Sequence, residues 1–237
     1  MSSFAQTIRK FPRLFWISNI IELFERWGWY AFYNGFIAIY LTSPRETGAL
    51  GFSNVEKGTI MGTASMILYF LPVITGAVAD RVGYKKVLIV SFLTYILSFF
   101  MLGNFQTFGA IFAAFILLAV AGALFKPLIS GTVARVTDRQ TASLGFGIFY
   151  MVVNIGGFIG PFVASLLYKK SWDTVFYMSI GAMVLNLIIT LIFYREPAVT
   201  PDRKSFMKNI GIAFRNIGVT LTDWRFLIFL LIIGVFW

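Results

Sequence analysis

The chain has 237 residues, of which 58% are hydrophobic and 13% charged, and it includes 27 Phe. With a mean hydropathy of +0.80 it lacks the polar surface a water-soluble domain needs. It contains no Cys and no His, which excludes disulfides, Cys/His metal sites, a thiol nucleophile and an imidazole base. A net charge of +10 is compatible with nucleic-acid binding, but the placement of the charges points instead to membrane topology and anionic headgroups, with no nucleic acid as partner.

Apolar runs near the ~20 residues that cross a bilayer recur along the chain. They predict membrane-spanning helices at 14–42, 55–80, 86–103, 107–134, 143–168 and 174–194, since isolated strands would leave backbone groups unpaired in lipid. The first run, from Leu14 to Leu41, is too long for the core of a signal peptide and reads as a retained helix. The last, Phe226 to Trp237, has only twelve residues. The expectation is a chain that stops inside a seventh span and forms part of a protein about twice as long. The expected organisation is a transmembrane bundle over 1–195, an amphipathic linker over 196–224 and the start of a seventh helix over 225–237.

Lys and Arg divide unevenly between the predicted loops. Fourteen lie on the side of the N-terminus, at Arg9, Lys10 and Arg13, Arg81, Lys85 and Lys86, Arg135 and Arg139, and six from Arg195 to Arg225. Four lie opposite, at Arg45, Lys57, Lys169 and Lys170. This bias predicts a cytoplasmic N-terminus and linker in the cell (inner or plasma) membrane. Within the linker, Phe206, Ile210, Phe214 and Ile217 recur at helical spacing among basic residues, which reads as a helix on the membrane surface.

The charges inside span one carry the most information. Glu22, Glu25 and Arg26 follow i, i+3, i+4 spacing and share one helix face, which Tyr30 and Tyr33 continue. A charge at the bilayer centre costs about 2.5–3.5 kcal/mol even on a mild scale, so this face is expected to look into the bundle. Glu22 falls about 8 Å from the midpoint of span one, and Lys126 about 9 Å from that of span four, toward the same side. Asn154 and Tyr69 lie near the midpoints of spans five and two. Core packing is the plainer reading for Tyr33 and Tyr69, and helix–helix hydrogen bonding is as good a reading for Asn154 as substrate contact.

Glu22, Glu25, Arg26 and Lys126 sum to zero charge when all are ionised. One added proton leaves the set positive and ready for an anion, and a bound anion raises the proton affinity of the glutamates; each ligand favours the other. A salt-bridge network that only fixes helix packing is the bland alternative. A membrane-embedded enzyme would need a nucleophile and base or metal ligands, which two intramembrane carboxylates do not furnish.

Between spans two and three the chain reads Gly76-Ala-Val-Ala-Asp80-Arg81-Val-Gly83-Tyr-Lys-Lys. Asp80 at a helix C-terminus opposes the dipole and calls for a basic partner, Arg81 or Arg135. This stretch resembles the cytoplasmic loop motif of the major facilitator superfamily, which implies a gating role for Gly76, Asp80, Arg81, Gly83 and Arg135. Glu22-Leu-Phe-Glu25-Arg26-Trp27-Gly28-Trp29-Tyr30 resembles the ExxERFxYY signature of the proton-dependent oligopeptide transporters, with Trp27 and Trp29 in place of Phe and Tyr. Lys126-Pro127, and Phe149-Tyr150 with Asn154 and Gly156, are similar to further signatures of that family.

The resemblance implies an all-α membrane fold, the N-terminal six-helix bundle of a major facilitator transporter, with a C-terminal bundle of the same protein as its partner. It implies symport of di- and tripeptides with protons and no cofactor, no metal and no enzymatic activity. Glu22 and Glu25 would couple protons, while Arg26, Tyr30, Lys126 and Asn154 would take substrate or gating roles; Tyr69, by its depth, is a further candidate for substrate contact. Transport of another anionic or zwitterionic solute, and a non-transporting sensor or assembly subunit, are the alternatives.

Overall fold

A computed structural model describes residues 3–33, 36–197, 211, 215, 218–220 and 222–236. In chain order the helices are α1 (Ser3–Ile8), α2 (Arg13–Tyr33), α3 (Ile37–Thr42), α4 (Asn54–Phe70), α5 (Pro72–Val82), α6 (Tyr84–Asn104), α7 (Phe108–Arg135), α8 (Ala142–Leu167), α9 (Trp172–Phe193) and α10 (Trp224–Phe236), with a short 3-10 turn at Arg45–Thr47. No strand occurs among the described residues. Four of these helices, α6 to α9, are long and apolar enough to cross a membrane, and α4 with α5 forms a fifth candidate. Helix α2 has 21 residues but carries Glu22, Glu25 and Arg26. The surface helix expected on Phe206, Ile210, Phe214 and Ile217 falls outside the described residues.

The predicted second span is broken. Helices α4 and α5 meet at Leu71 with a 48° bend, because Pro72 cannot donate to the preceding turn. Before the break, α4 starts at a capping box. The Ser53 amide donates to Glu56 Oε2 at 2.8 Å, and the Glu56 amide to Ser53 Oγ at 3.2 Å.

Helix α2 packs on α8 and α9, α6 packs on α7 and α9, and α7 packs on α4 and α5. The α2–α8 seam is made by glycines. A Cβ at Gly160 would sit 2.5 Å from the Trp27 carbonyl oxygen, and one at Gly156 would sit 2.7 Å from the Arg26 Cβ. The Gly156-x-x-x-Gly160 spacing therefore brings two backbones together, as small residues do in membrane helices. Small hydroxyls join the other helices: Ser91 Oγ donates to the Ala121 carbonyl and Ser98 Oγ to the Ala114 carbonyl, both at 2.8 Å. Pro127 lies inside α7 and leaves the Ala123 carbonyl without its helical donor. Thr75 Oγ1 of α5 fills that place at 2.7 Å.

Candidate functional site

The polar face of α2 turns inward. Glu22 and Glu25 are fully buried and Arg26 is 8% exposed. Arg26 grips its neighbour with two parallel bonds, Nε to Glu25 Oε2 at 2.5 Å and an Nη to Oε1 at 2.7 Å, the fork geometry that suits a carboxylate. Its Nε also lies 3.6 Å from Glu22 Oε1. From α7, Lys126 Nζ donates to Glu22 Oε1 at 2.7 Å. From α6, the Tyr95 hydroxyl donates to Glu25 Oε1 at 2.5 Å. Three helices thus hold two carboxylates and two cations, and the set is neutral when all four are ionised. A buried charge survives only when paired and hydrogen-bonded in this way.

The two glutamates are not equivalent. Glu25 has three donors on its two oxygens, whereas Glu22 has Lys126 on Oε1 and no partner on the buried Oε2. A proton placed on Oε2 would displace no donor from that oxygen, and by removing the negative charge it would loosen Lys126 on Oε1.

A cavity of about 540 Å³ opens beside this cluster, between α2, α7 and the α4–α5 break. Arg26, Tyr30, Tyr69 and Lys126 all line it, but Glu22 and Glu25 stand behind the cations and are sealed from it. Lys126 is the more accessible cation, with 41% of its side chain exposed. Its Nζ lies 5.2 Å from the centre of the Phe149 ring, and the Arg26 guanidinium 5.2 Å from that of Tyr30, contacts that hold both cations in place. Tyr69 is 77% exposed; the core-packing reading fails for it because the α4–α5 bend turns it into the cavity. Tyr33 also lines the cavity, within 3.4 Å of Ser65 Oγ. Trp29, where the resembling signature has Tyr, stacks on Tyr33 at 4.6 Å and is almost fully buried. The arrangement can accept an anionic group against two fixed cations while a carboxylate behind them takes a proton.

Asn154 is not brought to this cavity. It is exposed on α8, and its side-chain amide donates to the Tyr150 carbonyl one turn back at 2.9 Å. Tyr95 belongs to the cluster, and its sequence surroundings gave no sign of it; within the aromatic run of α6 a Tyr reads as packing.

At the end of the bundle, Asp80 takes Arg135 as its partner, not Arg81. An Nη of Arg135 donates to Oδ1 at 2.8 Å, and the Tyr84 hydroxyl donates to the same oxygen at 3.0 Å. Gly83 has φ +105, a conformation that costs glycine little and other residues much. A Cβ there would also meet the Glu196 carboxylate at 2.9 Å. That carboxylate accepts the Tyr84 and Lys85 amides at 3.0 and 2.9 Å, capping the positive end of α6 from the far side of α9. Gly76, by contrast, has open space where a Cβ would go.

Residues 16–237 match the family model described as Major Facilitator Superfamily. The chain belongs to that superfamily. As a multi-pass membrane protein of the superfamily, it is 28% identical to dipeptide and tripeptide permease A of Erwinia pyrifoliae over 192 residues, 79% of this chain and 38% of the permease. It is 28% identical to dipeptide and tripeptide permease B of Salmonella typhimurium over 230 residues, 92% of this chain and 44% of the permease. The chain therefore spans less than half the length of these relatives. Among solved structures, "peptide transporter POT in complex with sulfate" aligns with a TM-score of 0.73 at 22% identity, covering 89% of this chain and 44% of that one. That likeness supports the fold, an all-helical membrane bundle of the major facilitator kind.

Proposed function

We propose that the chain is the N-terminal bundle of a proton-coupled symporter that imports di- and tripeptides by alternating access, a member of the proton-dependent oligopeptide transporters. The observation that carries the proposal is the layering of charge. Arg26 and Lys126 face the cavity, and each is backed by a buried glutamate it must share. A peptide carboxylate drawn to the cations weakens their hold on Glu22 and Glu25, whose proton affinity then rises. A proton on Glu22 releases Lys126 for the peptide, so the two ligands bind cooperatively. The names of the relatives, dipeptide and tripeptide permeases, favour short peptides as the solute.

In this reading Glu22 and Glu25 couple protons, and Arg26, Tyr30, Tyr69 and Lys126 hold the substrate. Protons are the coupling ion, and no cofactor or metal is required. The Asp80–Arg135 pair, with Gly83 and the neighbouring Arg81, latches one gate on the cytoplasmic side. A C-terminal bundle meets the other end of the peptide, and the protein resides in the inner membrane with its N-terminus in the cytoplasm. Asn154, on the exposed face of α8, can reach substrate only from the side that such a second bundle would cover.

The test is uptake of a labelled dipeptide into proteoliposomes of the full-length protein, with and without an inward proton gradient. Gradient-driven uptake that Glu22→Gln and Glu25→Gln abolish is the expected result. Folded protein that ignores dipeptides but moves another anionic or zwitterionic solute would discard the peptide assignment. Gradient-independent uptake would discard the coupling.

A further inference from the structure

A second cleft lies at the basic end of the bundle, remote from the site above. It has a volume of about 160 Å³ and runs between the first turn of α2 and the end of α9, lined by Arg13, Leu14, Ile17, Ile192, Phe193 and Arg195. The combination is unusual: two cations at the mouth and an otherwise apolar wall. Neither arginine forms an ion pair among the described residues. The nearest acid in sequence, Glu196, makes no ion pair with Arg195; both its oxygens accept from the backbone amides of α6.

Arg13 is held by a ring and Arg195 by its backbone. The Arg13 guanidinium stands 5.6 Å from the centre of the Phe193 ring. Arg195 sits between two anchored neighbours, Glu196 on α6 and Tyr194, which is buried and bonded to Thr132 Oγ1 at 2.6 Å. A third positive group is close by: Lys85 Nζ donates to the Leu191 carbonyl in the last turn of α9 at 2.8 Å. Two neighbouring arginines without an ion-pair partner are a site for a phosphate-type anion.

The surroundings say which phosphate. The cleft opens onto an exposed apolar flank, with Trp16 at 37% and Ile20 at 45% on α2, and Ile188 at 45% and Ile192 at 65% on α9. A soluble anion has no use for that flank, but an acyl chain does. Basic pockets between transmembrane helices bind anionic lipid headgroups for this reason. We propose that the Arg13–Arg195 cleft is a binding site for the headgroup of an anionic phospholipid, whose acyl chain lies along the Trp16–Ile20 and Ile188–Ile192 faces. A lipid there would bridge the start of span one, which bears the coupling glutamates, to the end of span six.

The test is a titration of delipidated, detergent-solubilised full-length protein with phosphatidylglycerol, phosphatidylcholine or glycerophosphate, read by native mass spectrometry and by thermal unfolding. The expected result is a retained phosphatidylglycerol adduct that raises the melting temperature, with phosphatidylcholine and glycerophosphate doing neither. At about 1 kcal/mol per basic group, Arg13→Gln with Arg195→Gln weakens the adduct about 25-fold. Lys169→Gln with Lys170→Gln removes as much charge at the opposite end and leaves the adduct unchanged. Should the arginine variant not fold, Ile192→Glu places a carboxylate in the cleft at an exposed position and abolishes the adduct. Equal binding of both lipids, an adduct untouched by these variants, or glycerophosphate competing as well as the lipid would overturn the proposal. So would a photo-crosslinker at position 192 that captures residues 198–221 of the chain in place of lipid.

Discussion

The two ion-pair centres among the described residues have nearly the same bond lengths and opposite surroundings. Lys126 meets Glu22 at 2.7 Å and Arg135 meets Asp80 at 2.8 Å. Yet the Glu22 side chain is fully buried while that of Asp80 is 51% exposed. In the first centre water cannot compensate a lost partner, so the charges rise and fall together and a proton is felt by the whole set. In the second, water stands ready to replace either partner, and the pair is worth about 1 kcal/mol or less. In the proposed symport, burial would separate a coupling device, which has to store free energy, from a latch, which has to open every cycle.

The largest expected effect comes from breaking the buried set. Arg26→Ala leaves the buried Glu25 without its cation and should destabilise the bundle by about 3–5 kcal/mol, seen as a large drop in thermal unfolding temperature in detergent. A loss no greater than that of an exposed pair would show that water reaches the cluster. Lys126→Gln sharpens the contrast within the set. Lys126 is 41% exposed at the cavity, so dipeptide affinity should fall more than stability does, as read by binding and unfolding on one sample. Next comes Tyr95→Phe, which removes one donor from a charged acceptor and should cost about 1.5–3 kcal/mol, with proton-driven uptake falling while the fold is kept. Asp80→Asn should cost under about 1 kcal/mol of stability and act instead on the gate, raising accessibility of positions near Arg135 to thiol reagents after cysteine substitution. Stability loss as large as that of Tyr95→Phe would break the comparison.

The smallest effect lies in the loop between α7 and α8. There the Thr141 hydroxyl and amide, together with the Gln140 amide, donate to Asp138 and hold its carboxyl below the usual aspartate range. A lowered value stabilises the turn above the ordinary aspartate pKa, and that contribution is lost as pH falls through the lowered one. Protection of the Gln140 and Thr141 amides, measured against intrinsic exchange at each pH, should fall only on that acidic side, and Asp138→Asn should remove the dependence.

The sequence carried the inward face of α2 openly, because three charges at i, i+3 and i+4 admit no lipid-facing solution. It also placed Lys126 at the depth of Glu22, where the two now bond. The predicted spans at 86–103, 107–134, 143–168 and 174–194 fall within two residues of α6 to α9. What it withheld was tertiary. Tyr95 sits in an aromatic run where a phenol and a phenyl ring look alike to any periodicity. Glu196 finds the α6 amides only once α9 has returned beside α6, more than a hundred residues along the chain. Pro72 was visible, but a proline in a span breaks or merely bends it depending on neighbours that can receive the freed groups. Asn154 sat at the expected depth but on the other side of α8, which depth alone does not reveal.

The central claim is that a proton and a peptide meet through one buried, neutral charge set. The most direct test is dipeptide affinity of the full-length protein as a function of pH, for the wild type and for Glu22→Gln. Reciprocal coupling predicts that affinity rises as pH falls in the wild type, and that the substitution removes this slope. A slope unchanged by Glu22→Gln, or no slope in the wild type, would contradict it.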